Sequence, residues 1–531
     1  MIQSFFAEQA SEKLNDQSFQ QAWKNIYEKD LTATVFQHPT YITNWYRLYP
    51  QYQPLILLVK SEKEIQEILF LAILENEIVG AGHHQAEYQT TLSRTENKIS
   101  FLADCIRHLL RIFPDKKLSL KYLPQSLNPL ELENQKDIQS NIFLKEYSEP
   151  VIRLDSELIK SELNKKNRRE KLNRLKKIGN LTFQRITDSK IFRQYLDQLA
   201  IDYDFRQGAM FGSEFFSEDQ HKKEFMLNLF DSGLLYVTLL FSDQTIIAAN
   251  ASTYDKGITY LQGFNTHHPV FAKYSPGILS FLMSALQMQQ DGLLEFDLTP
   301  GSVDDYKGDL ATDFYRTWSL EAGNKTDIFK QKLKSTVKSS LKKLSENNSI
   351  QRLKVQLEKV LQIGGKKLNA KTDNPASEPF SKFYEFSISP SIAENSERFD
   401  SSELLPDNLK NLLQYKPDIG QPARQNFLFD AMKRMEFGQH VYTRSVNNKL
   451  SGYAWFVPAG AKLIFPTGEK TEKNYCFFQL LDMNHKDFFN DFLIKTIDLL
   501  AGTLKTGDSL WIRMSDESKK TFPDLKKRFA R

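Results

Sequence analysis

The amino-acid sequence predicts an α/β protein made of tandem units, each with a mixed central sheet flanked by helices. Three observations lead to this prediction. The chain has 531 residues, more than one hydrophobic core usually serves, so about three domains are expected. Apolar residues make up 40% and charged residues 26%, as in ordinary folded proteins. Finally, one order of elements occurs three times: a hairpin, then a strand, a helix and a further strand.

The middle occurrence has the clearest pattern. Three stretches of strand composition, separated by short turns, predict an antiparallel meander: residues 234–241, 245–255 and 257–265. From Ser275 to Gly292 apolar residues recur at helical spacing, which predicts a helix. Residues 293–299 then predict a strand that ends in a turn at Pro300 and Gly301.

The two outer occurrences follow the same order. Near the N-terminus the pattern predicts two strand regions, a helix and a strand, at residues 54–63, 67–82, 99–113 and 117–123. Near the C-terminus it predicts a hairpin, a strand, a helix and a strand, at residues 440–446, 450–458, 475–483, 488–507 and 508–514. Such wide spacing favours duplicated α/β units over a solenoid of short repeats. Chance recurrence is the alternative interpretation for these two outer occurrences.

The breaks between these patterns predict the domain boundaries. The N-terminal domain spans 1–150, the middle and catalytic domain 151–325, and a degenerate C-terminal domain 380–531. Residues 326–379 are predicted as a basic helical segment and linker. The C-terminal domain is expected to lack an active site because its helix entry at 483–489 has no glycine and carries Asp487, whose charge repels a phosphate.

Charge, cysteine content and hydropathy argue against a metal-binding, secreted or membrane-spanning protein. The net charge of +4 is nearly balanced, so it does not indicate nucleic-acid binding by itself. Cys105 and Cys476 lie in separate apolar stretches and are expected to be buried thiols, without a metal site. The N-terminus lacks a signal-peptide pattern, and no window approaches about 18 uninterrupted apolar residues. We therefore expect a cytoplasmic protein without a transmembrane segment.

Two segments of the middle domain are candidates for chemistry. Ser275, Pro276 and Gly277 begin the predicted helix, where unpaired N–H groups and the positive helix end suit a phosphate. Ser275 also suits an N-cap and Pro276 a first helical position, so a capped helix without a ligand is the alternative. The second segment is a strand end followed by a glycine turn, Tyr306 and Lys307. An ordinary surface lysine is its alternative.

The middle domain contains further candidate residues. The basic helix 161–177 could hold the phosphates of a nucleotide-bearing substrate, although such a run is commonly a solvated face. His267 and His268 lie near no sequence context of a serine or cysteine nucleophile, so they are treated as loop histidines. Asp297 and Tyr254 are candidates for a base that removes the acceptor proton.

The stretches 205–212 and 263–311, with their Ser-Pro-Gly and DLTPGSVDDYK motifs, resemble the catalytic domain of the CelD/BcsL-type GNAT acyltransferases of bacterial polysaccharide gene clusters. That family is akin to the Fem aminoacyl ligases. The stretches 36–49 and 86–92 resemble the family's first GNAT-like half, so the resemblance covers about residues 30–325. The fold it implies is a tandem of GNAT-like (acyl-CoA N-acyltransferase) domains.

The resemblance also implies roles for individual residues. Ser275, Pro276 and Gly277 match the place where GNAT proteins bind the donor's pyrophosphate, although the fuller Q/R-x-x-G-x-G/A loop is absent. Lys307 matches a lysine that Fem-type ligases keep after the last strand. Arg206 matches an arginine that lines the family's acceptor cleft. With the candidates given above, the expected catalytic residues are Lys307, Asp297 and Tyr306, and the expected substrate-binding residues are Arg206 and Tyr254.

The function that follows is acyl transfer without a metal. Acyl-CoA is the expected donor, and an amine or hydroxyl of a sugar or sugar-nucleotide in cell-surface polysaccharide synthesis is the expected acceptor. A Fem-like ligase that uses aminoacyl-tRNA is the alternative enzyme, favoured by Lys307 and the basic helix. A non-catalytic protein that binds a nucleotide or a partner is the alternative from another class.

Overall fold

A computed structural model describes most of the chain. The described residues are 2–61, 64–95, 98–301, 306–345, 384–388, 404–462, 470–481, 486–504 and 509–514. Within these ranges the strands form one sheet of thirteen and one sheet of five. Residues 346–379 of the predicted basic helical segment and linker (326–379) lie outside the described residues.

The N-terminal unit contributes seven strands and four helices. Its strands are β1 Gln3–Phe6, β2 Gln53–Ser61, β3 Glu64–Leu74, β4 Glu77–Gly80, β5 Leu92–Ser93, β6 Lys117–Pro124 and β7 Ile142–Arg153. Its helices are α1 Glu8–Asn15, α2 Gln17–Lys29, α3 Pro39–Leu48 and α4 Lys98–Ile112. Asp16 caps α2 by accepting the N–H of Ser18 at 2.8 Å, and Pro39 occupies the first turn of α3.

The middle unit contributes six strands and eight helices. Its helices are α5 Ser156–Asn164, α6 Lys166–Ile178, α7 Ser189–Phe211, α8 Phe215–Glu218, α9 Lys222–Asp231, α10 Pro276–Gln290, α11 Tyr306–Leu310 and α12 Lys325–Ser345. Its strands are β8 Leu181–Ile186, β9 Leu235–Ser242, β10 Thr245–Asp255, β11 Ile258–His267, β12 Glu295–Asp297 and β13 Asp313–Ala322.

The two units exchange their last strands. The order across the large sheet is β1-β2-β3-β4-β6-β13-β7-β12-β11-β10-β9-β8, with β5 beside β3. Strand β13 of the middle unit inserts between β6 and β7, and β7 of the N-terminal unit pairs with β12. In each unit the last strand of the meander pairs in parallel with the strand that follows the helix. These pairs are β4 with β6 in the N-terminal unit and β11 with β12 in the middle unit. This arrangement confirms the predicted tandem GNAT-like α/β fold.

Buried apolar side chains on both faces explain why the central strands are almost wholly apolar. Along β2, Ile56 and Leu58 belong to a core shared by both units, whereas Leu55 and Leu57 face α4 on the other side. The shared core also holds Trp23 and Trp45, both fully buried, and side chains from α7, α9 and β9. The N-terminal and middle units therefore fold around one continuous core.

The C-terminal unit repeats the same order in a smaller sheet. Its elements are β14 Tyr384–Ile388, α13 Leu409–Leu412, α14 Arg424–Glu436, β15 His440–Val446, β16 Lys449–Val457, β17 Asn474–Leu480, α15 Lys486–Thr503 and β18 Leu510–Met514. The sheet order is β14-β18-β17-β16-β15, and β17 and β18 are parallel. The helix entry at 483–489, where an active site was predicted to be absent, lies largely outside the described residues.

Helix α14 docks the C-terminal unit on the middle unit. Its Leu428 and Met432 pack into one buried cluster with Phe205 of α7. Arg424 adds an ion pair to Glu214 at 2.6 Å, just after α7. The predicted boundary between 150 and 151 falls within β7, so a cut there would interrupt a strand that both units share.

The buried pair of Lys98 and Asp30 generates a prediction of stability. Both side chains are almost fully buried, and Asp30 also accepts the N–H of Ser93 at 3.0 Å. Lys98→Met leaves this carboxylate without its counter-charge, so the free energy of unfolding should fall by about 3 kcal/mol. Urea denaturation followed by circular dichroism measures the change.

Lys24→Met is the matched control, because Lys24 is 57% exposed and its partner Glu28 is equally solvated. That change should alter stability by less than about 0.5 kcal/mol. Equal effects of the two substitutions would contradict a structural role for the buried pair.

Candidate functional site

The site begins where β11 and β12 diverge. The two strands pair in parallel only from Ile258 to Tyr260, opposite Glu295 to Asp297. Beyond Tyr260 a bulge inserts two residues into β11, so that Thr253 of β10 faces Tyr260 and Ser252 faces Gly263. A β-bulge bends a strand and increases its twist. The result is a V-shaped opening in the sheet beyond Asp297.

Gly263 is required at this bulge. Its φ of +145° is unfavourable for other residues, and a Cβ there would lie 2.4 Å from the carbonyl oxygen of Ala251. The bulge therefore brings the β11 backbone closer to β10 than a side chain allows.

A buried carboxyl pair lies at the apex of the opening. Asp297 on β12 is 1% exposed and Glu149 on β7 is 8% exposed. The Tyr88 hydroxyl, from the loop after β4, donates to Asp297 Oδ2 at 2.6 Å. Burial raises the pKa of both carboxyls, and the charge of Asp297 raises the pKa of Glu149 further. Asp297 is thus an acid that can gain or lose a proton near neutral pH.

Lys307 lies beside this pair. Thr299 adopts a left-handed conformation, with φ of 66°, and its N–H donates to Asp297 Oδ1 at 2.7 Å. The Lys307 ammonium, on the short helix α11, donates to the Thr299 hydroxyl at 3.1 Å. The chain thus brings two of the predicted catalytic residues, Asp297 and Lys307, to the same threonine. Tyr306 begins α11, and its side chain is outside the described part of the chain.

Helix α10 starts at the predicted Ser-Pro-Gly segment, but not with the expected cap. Pro276 is the first helical residue, as predicted. Ser275 has a left-handed backbone and makes no capping hydrogen bond. Its hydroxyl instead contacts the Lys171 ammonium of α6 at 2.7 Å. Ser275 is thus the N-cap residue by position, as the alternative interpretation expected, but its side chain does not cap the helix.

Arg206 and His267 lie against the same helix start. The Arg206 guanidinium is 3.1 Å from His267 Nε2, and a Cβ on Gly277 would lie 3.1 Å from His267 Nδ1. Burial, followed by the Arg206 charge, lowers the pKa of His267 to about 3. The imidazole is therefore neutral and can accept from Arg206. The structure thus unites the predicted residues Arg206, Ser275, Pro276 and Gly277 around one helix end.

The predicted basic helix forms α5 and α6. Leu175 of α6 is completely buried against the sheet, and this contact holds α6 in place. Lys171 reaches Ser275, and Arg174 and Lys177 line a pocket of about 360 Å³ with Lys273. Part of this basic surface therefore faces the start of α10 instead of open solvent.

A second cavity lies between the N-terminal and middle units. Its volume is about 570 Å³, and Gln262 and Gly263 of the β11 bulge form part of its wall. Its aromatic lining comes from both units: Tyr41, Tyr203, Phe215 and Phe225. Its charged lining comprises Glu87, Lys121, Glu218, Asp219 and Lys222. Such a mixture of rings and fixed charges suits a polar organic molecule.

The N-terminal unit's own cleft is closed. In the equivalent gap between β4 and β6, Gln89 bonds to the backbone of Lys121 at 2.8 Å and of His83 at 2.9 Å. A Cβ on Gly80 would lie 2.4 Å from the Gln89 side chain. This side chain therefore occupies the space where β11 and β12 open in the middle unit.

Some of the predicted residues lie away from the opening, and two residues at its apex were not predicted. Tyr254, predicted to bind substrate, pairs with Thr259 at the closed end of the V and packs edge-on against Tyr236. His268 is partly buried, and its ring packs edge-on against Phe271. Tyr88 lies in the 86–92 stretch that resembles the family's first half, yet only the fold shows that it reaches Asp297. Glu149 carries no sequence signal of a role.

Comparisons with known proteins agree with the fold. Residues 164–308 match the family profile described as acetyltransferase (GNAT) domain, and no curated protein matches the chain significantly. This match confirms the predicted enzyme class: the middle unit is a GNAT-type acyltransferase domain. In the described ranges, every helix is too short or too polar to cross a bilayer, and no group of three or more His, Cys, Asp or Glu is placed to hold a metal.

Several solved structures are similar to the chain. The C-terminal domain of a putative lysylphosphatidylglycerol synthetase from Agrobacterium fabrum is 13% identical, with 62% of this chain and 96% of that chain covered and a TM-score of 0.39. FemX is 10% identical, with 59% and 98% covered and a TM-score of 0.41. A tandem GNAT protein from the clavulanic acid biosynthesis pathway is 12% identical, with 61% and 99% covered and a TM-score of 0.36.

The helix start generates a prediction of ligand binding. Gly277→Val adds a branched side chain where His267 and the first-turn N–H groups meet, so a phosphate could no longer approach the backbone closely. The affinity for coenzyme A, measured by calorimetry, should fall about tenfold or more.

Gly323→Val is the control, because a Cβ at Gly323 meets only ordinary contacts at 3.8 Å, against Lys117. An affinity unchanged by Gly277→Val, with wild-type folding, would show that the helix start holds no donor phosphate.

Proposed function

We propose that the protein transfers an acyl group from acyl-CoA to an amine or hydroxyl of a sugar or sugar-nucleotide. The observation that carries this proposal is the opening between β11 and β12. On one side of it lie the start of α10 and its basic surroundings, and at its apex lies an acid with a raised pKa. An acyl donor that entered the opening would have its phosphates at the helix end and its carbonyl near Asp297.

The donor side suits a phosphate-bearing group. First-turn N–H groups and the helix dipole favour an anion at Gly277. Two cations lie beside this turn: Lys171, which contacts Ser275, and Arg206, which contacts His267. The absence of a bulky side chain at Gly277 leaves room for close backbone contact. These features fit the pyrophosphate of coenzyme A.

The chemistry needs positioned groups and no covalent nucleophile. The acceptor nitrogen or oxygen attacks the thioester carbonyl, the carbon–sulfur bond breaks and the sulfur leaves as a thiolate. The acceptor loses a proton to a base, and the thiolate takes a proton from solvent, to which the base later returns its own. We assign Asp297 as the base that takes the acceptor's proton, since a pKa near neutrality suits both ionisation states. Lys307 is assigned to the carbonyl oxygen or the adjoining phosphate, where its charge stabilises developing negative charge.

The acceptor is assigned to the cavity between the N-terminal and middle units. Its aromatic rings offer flat apolar faces, and Glu218 and Asp219 offer acceptors for hydroxyl or ammonium groups. Asp219 is held in place by the Tyr49 hydroxyl at 2.7 Å and by Gln85 at 3.1 Å. An amino sugar or its nucleotide has both a ring face and polar substituents. With such an acceptor, the protein would act as a CelD/BcsL-type enzyme of polysaccharide synthesis.

A Fem-like ligase that uses aminoacyl-tRNA is the second candidate. The basic side of α6 favours it, because Arg174 and Lys177 extend the positive surface beyond the helix start. A nucleic acid would release counterions along such a surface, and its binding would depend steeply on salt.

Lys307→Ala tests the catalytic assignment. Loss of one charge-assisted contact to the transition state should lower turnover about tenfold to a hundredfold. Release of free thiol from acetyl-CoA, with an amino-sugar nucleotide as acceptor, measures the rate. Folding should not change.

Lys190→Ala is the matched control, since Lys190 is exposed on α7. Full turnover by the Lys307 variant would remove that residue from the mechanism. Acyl transfer from aminoacyl-tRNA, with none from acyl-CoA, would favour the second candidate.

Tyr88→Phe tests the role of Asp297 through pH. The Tyr88 hydrogen bond lowers the pKa of Asp297, against the larger effect of burial. Its removal should raise that pKa, so the acidic limb of the pH–rate profile should move to higher pH. The shift arises because the base must lose its proton before it can act.

Tyr195→Phe on α7, whose ring packs on Phe241 far from Asp297, should leave the profile unchanged. A uniform loss of rate at every pH would instead indicate that Tyr88 only supports the fold.

A further inference from the structure

An open cleft lies between the middle and C-terminal units. Its volume is about 890 Å³. The middle unit lines it with Arg206, His267 and Lys273, and the C-terminal unit with the stretches 432–438 and 458–462 and with Lys470. His267 is the residue that touches the start of α10, so the cleft is continuous with the assigned phosphate site.

The cleft concentrates positive charge. Its lysines and arginine come from both walls: Arg206, Lys273, Lys433, Lys462 and Lys470. Glu436 is the one carboxylate among the described lining residues, and it already pairs with Lys433 at 2.6 Å. In the described part of the chain, Lys273, Lys462 and Lys470 make no ion pair with a carboxylate. Like charges held together in this way repel one another, and a bound anion would relieve that repulsion.

The C-terminal wall of the cleft is ordered by local contacts. The Gln439 amide donates to the carbonyl of Lys462 at 2.7 Å, and Lys462 and Lys470 face each other across an antiparallel bridge. The Lys462 ammonium also lies 5.4 Å from the Phe437 ring. From the opposite wall the Lys273 ammonium approaches Gly438, 4.0 Å from the position of a Cβ there. The two walls thus meet around a narrow basic patch.

We propose that the C-terminal unit completes the donor site, with Lys462 and Lys470 binding the 3′-phosphate of the nucleotide of coenzyme A. The inference rests on the proposed donor. Coenzyme A carries three phosphate groups, and the start of α10 accounts for the two in the pyrophosphate. The third needs a separate cationic site within reach of the nucleotide, and this cleft offers one. The C-terminal unit therefore contributes donor affinity although no catalytic role is assigned to it.

Calorimetry with coenzyme A and with dephospho-coenzyme A, which lacks the 3′-phosphate, tests the assignment on the full chain. The wild type should bind coenzyme A about tenfold or more tightly than the dephospho form. Lys462→Gln/Lys470→Gln should abolish this preference and leave the affinity for the dephospho form nearly unchanged. Lys462→Arg/Lys470→Arg should retain the preference, because charge is kept.

Lys410→Gln/Lys416→Gln is the control, since both lysines are exposed on the C-terminal unit outside the cleft. Equal binding of the two ligands by the wild type, or a preference that survives Lys462→Gln/Lys470→Gln, would overturn the inference and leave the proposed donor in place. Failure of the wild type to bind either ligand would overturn the donor itself.

Discussion

The insertion of β13 between β6 and β7 is the constraint on which the rest of the structure depends. Through it each unit completes the other's sheet, since β13 belongs to the middle unit and β7 to the N-terminal unit. The shared core on one face follows directly. Neither unit can move against the other without breaking the ladders of three strand pairs. The opening between β11 and β12 is therefore framed by a rigid, continuous sheet.

This exchange also determines the electrostatics of the candidate site. Because β7 lies beside β12, Glu149 comes close to Asp297, and the loop after β4 brings Tyr88 between them. Burial raises the pKa of both carboxyls, and the charge of Asp297 raises the pKa of Glu149 further. The N-terminal unit has its own cleft filled by Gln89. The N-terminal unit therefore contributes by shaping the middle unit's site and the adjoining cavity.

Local sequence patterns predicted part of the fold. In each unit the hairpin, the next strand, the helix and the strand after it follow from period-2 and helical spacing, and the Ser-Pro-Gly helix start and Lys307 lie in short motifs. The exchanged strands β7 and β13 were not predicted. Properties that depend on distant segments were not accessible. Tyr88 and Asp297 are more than two hundred positions apart, and only strand register brings them together. Likewise, Ser275 satisfies every local rule for a capping residue, but Lys171 on a neighbouring helix uses its hydroxyl.

The exchanged strand has a consequence for synthesis on the ribosome. Strand β6 finds its partner β13 only after residue 322 has emerged, about 170 residues after the end of β7. At 5–20 residues per second this interval lasts on the order of ten to thirty seconds. During that time β6 would present an unpaired edge to other nascent chains. The N-terminal unit would therefore need protection by a chaperone, or a temporary pairing of β6 with β7, before the complete sheet could form.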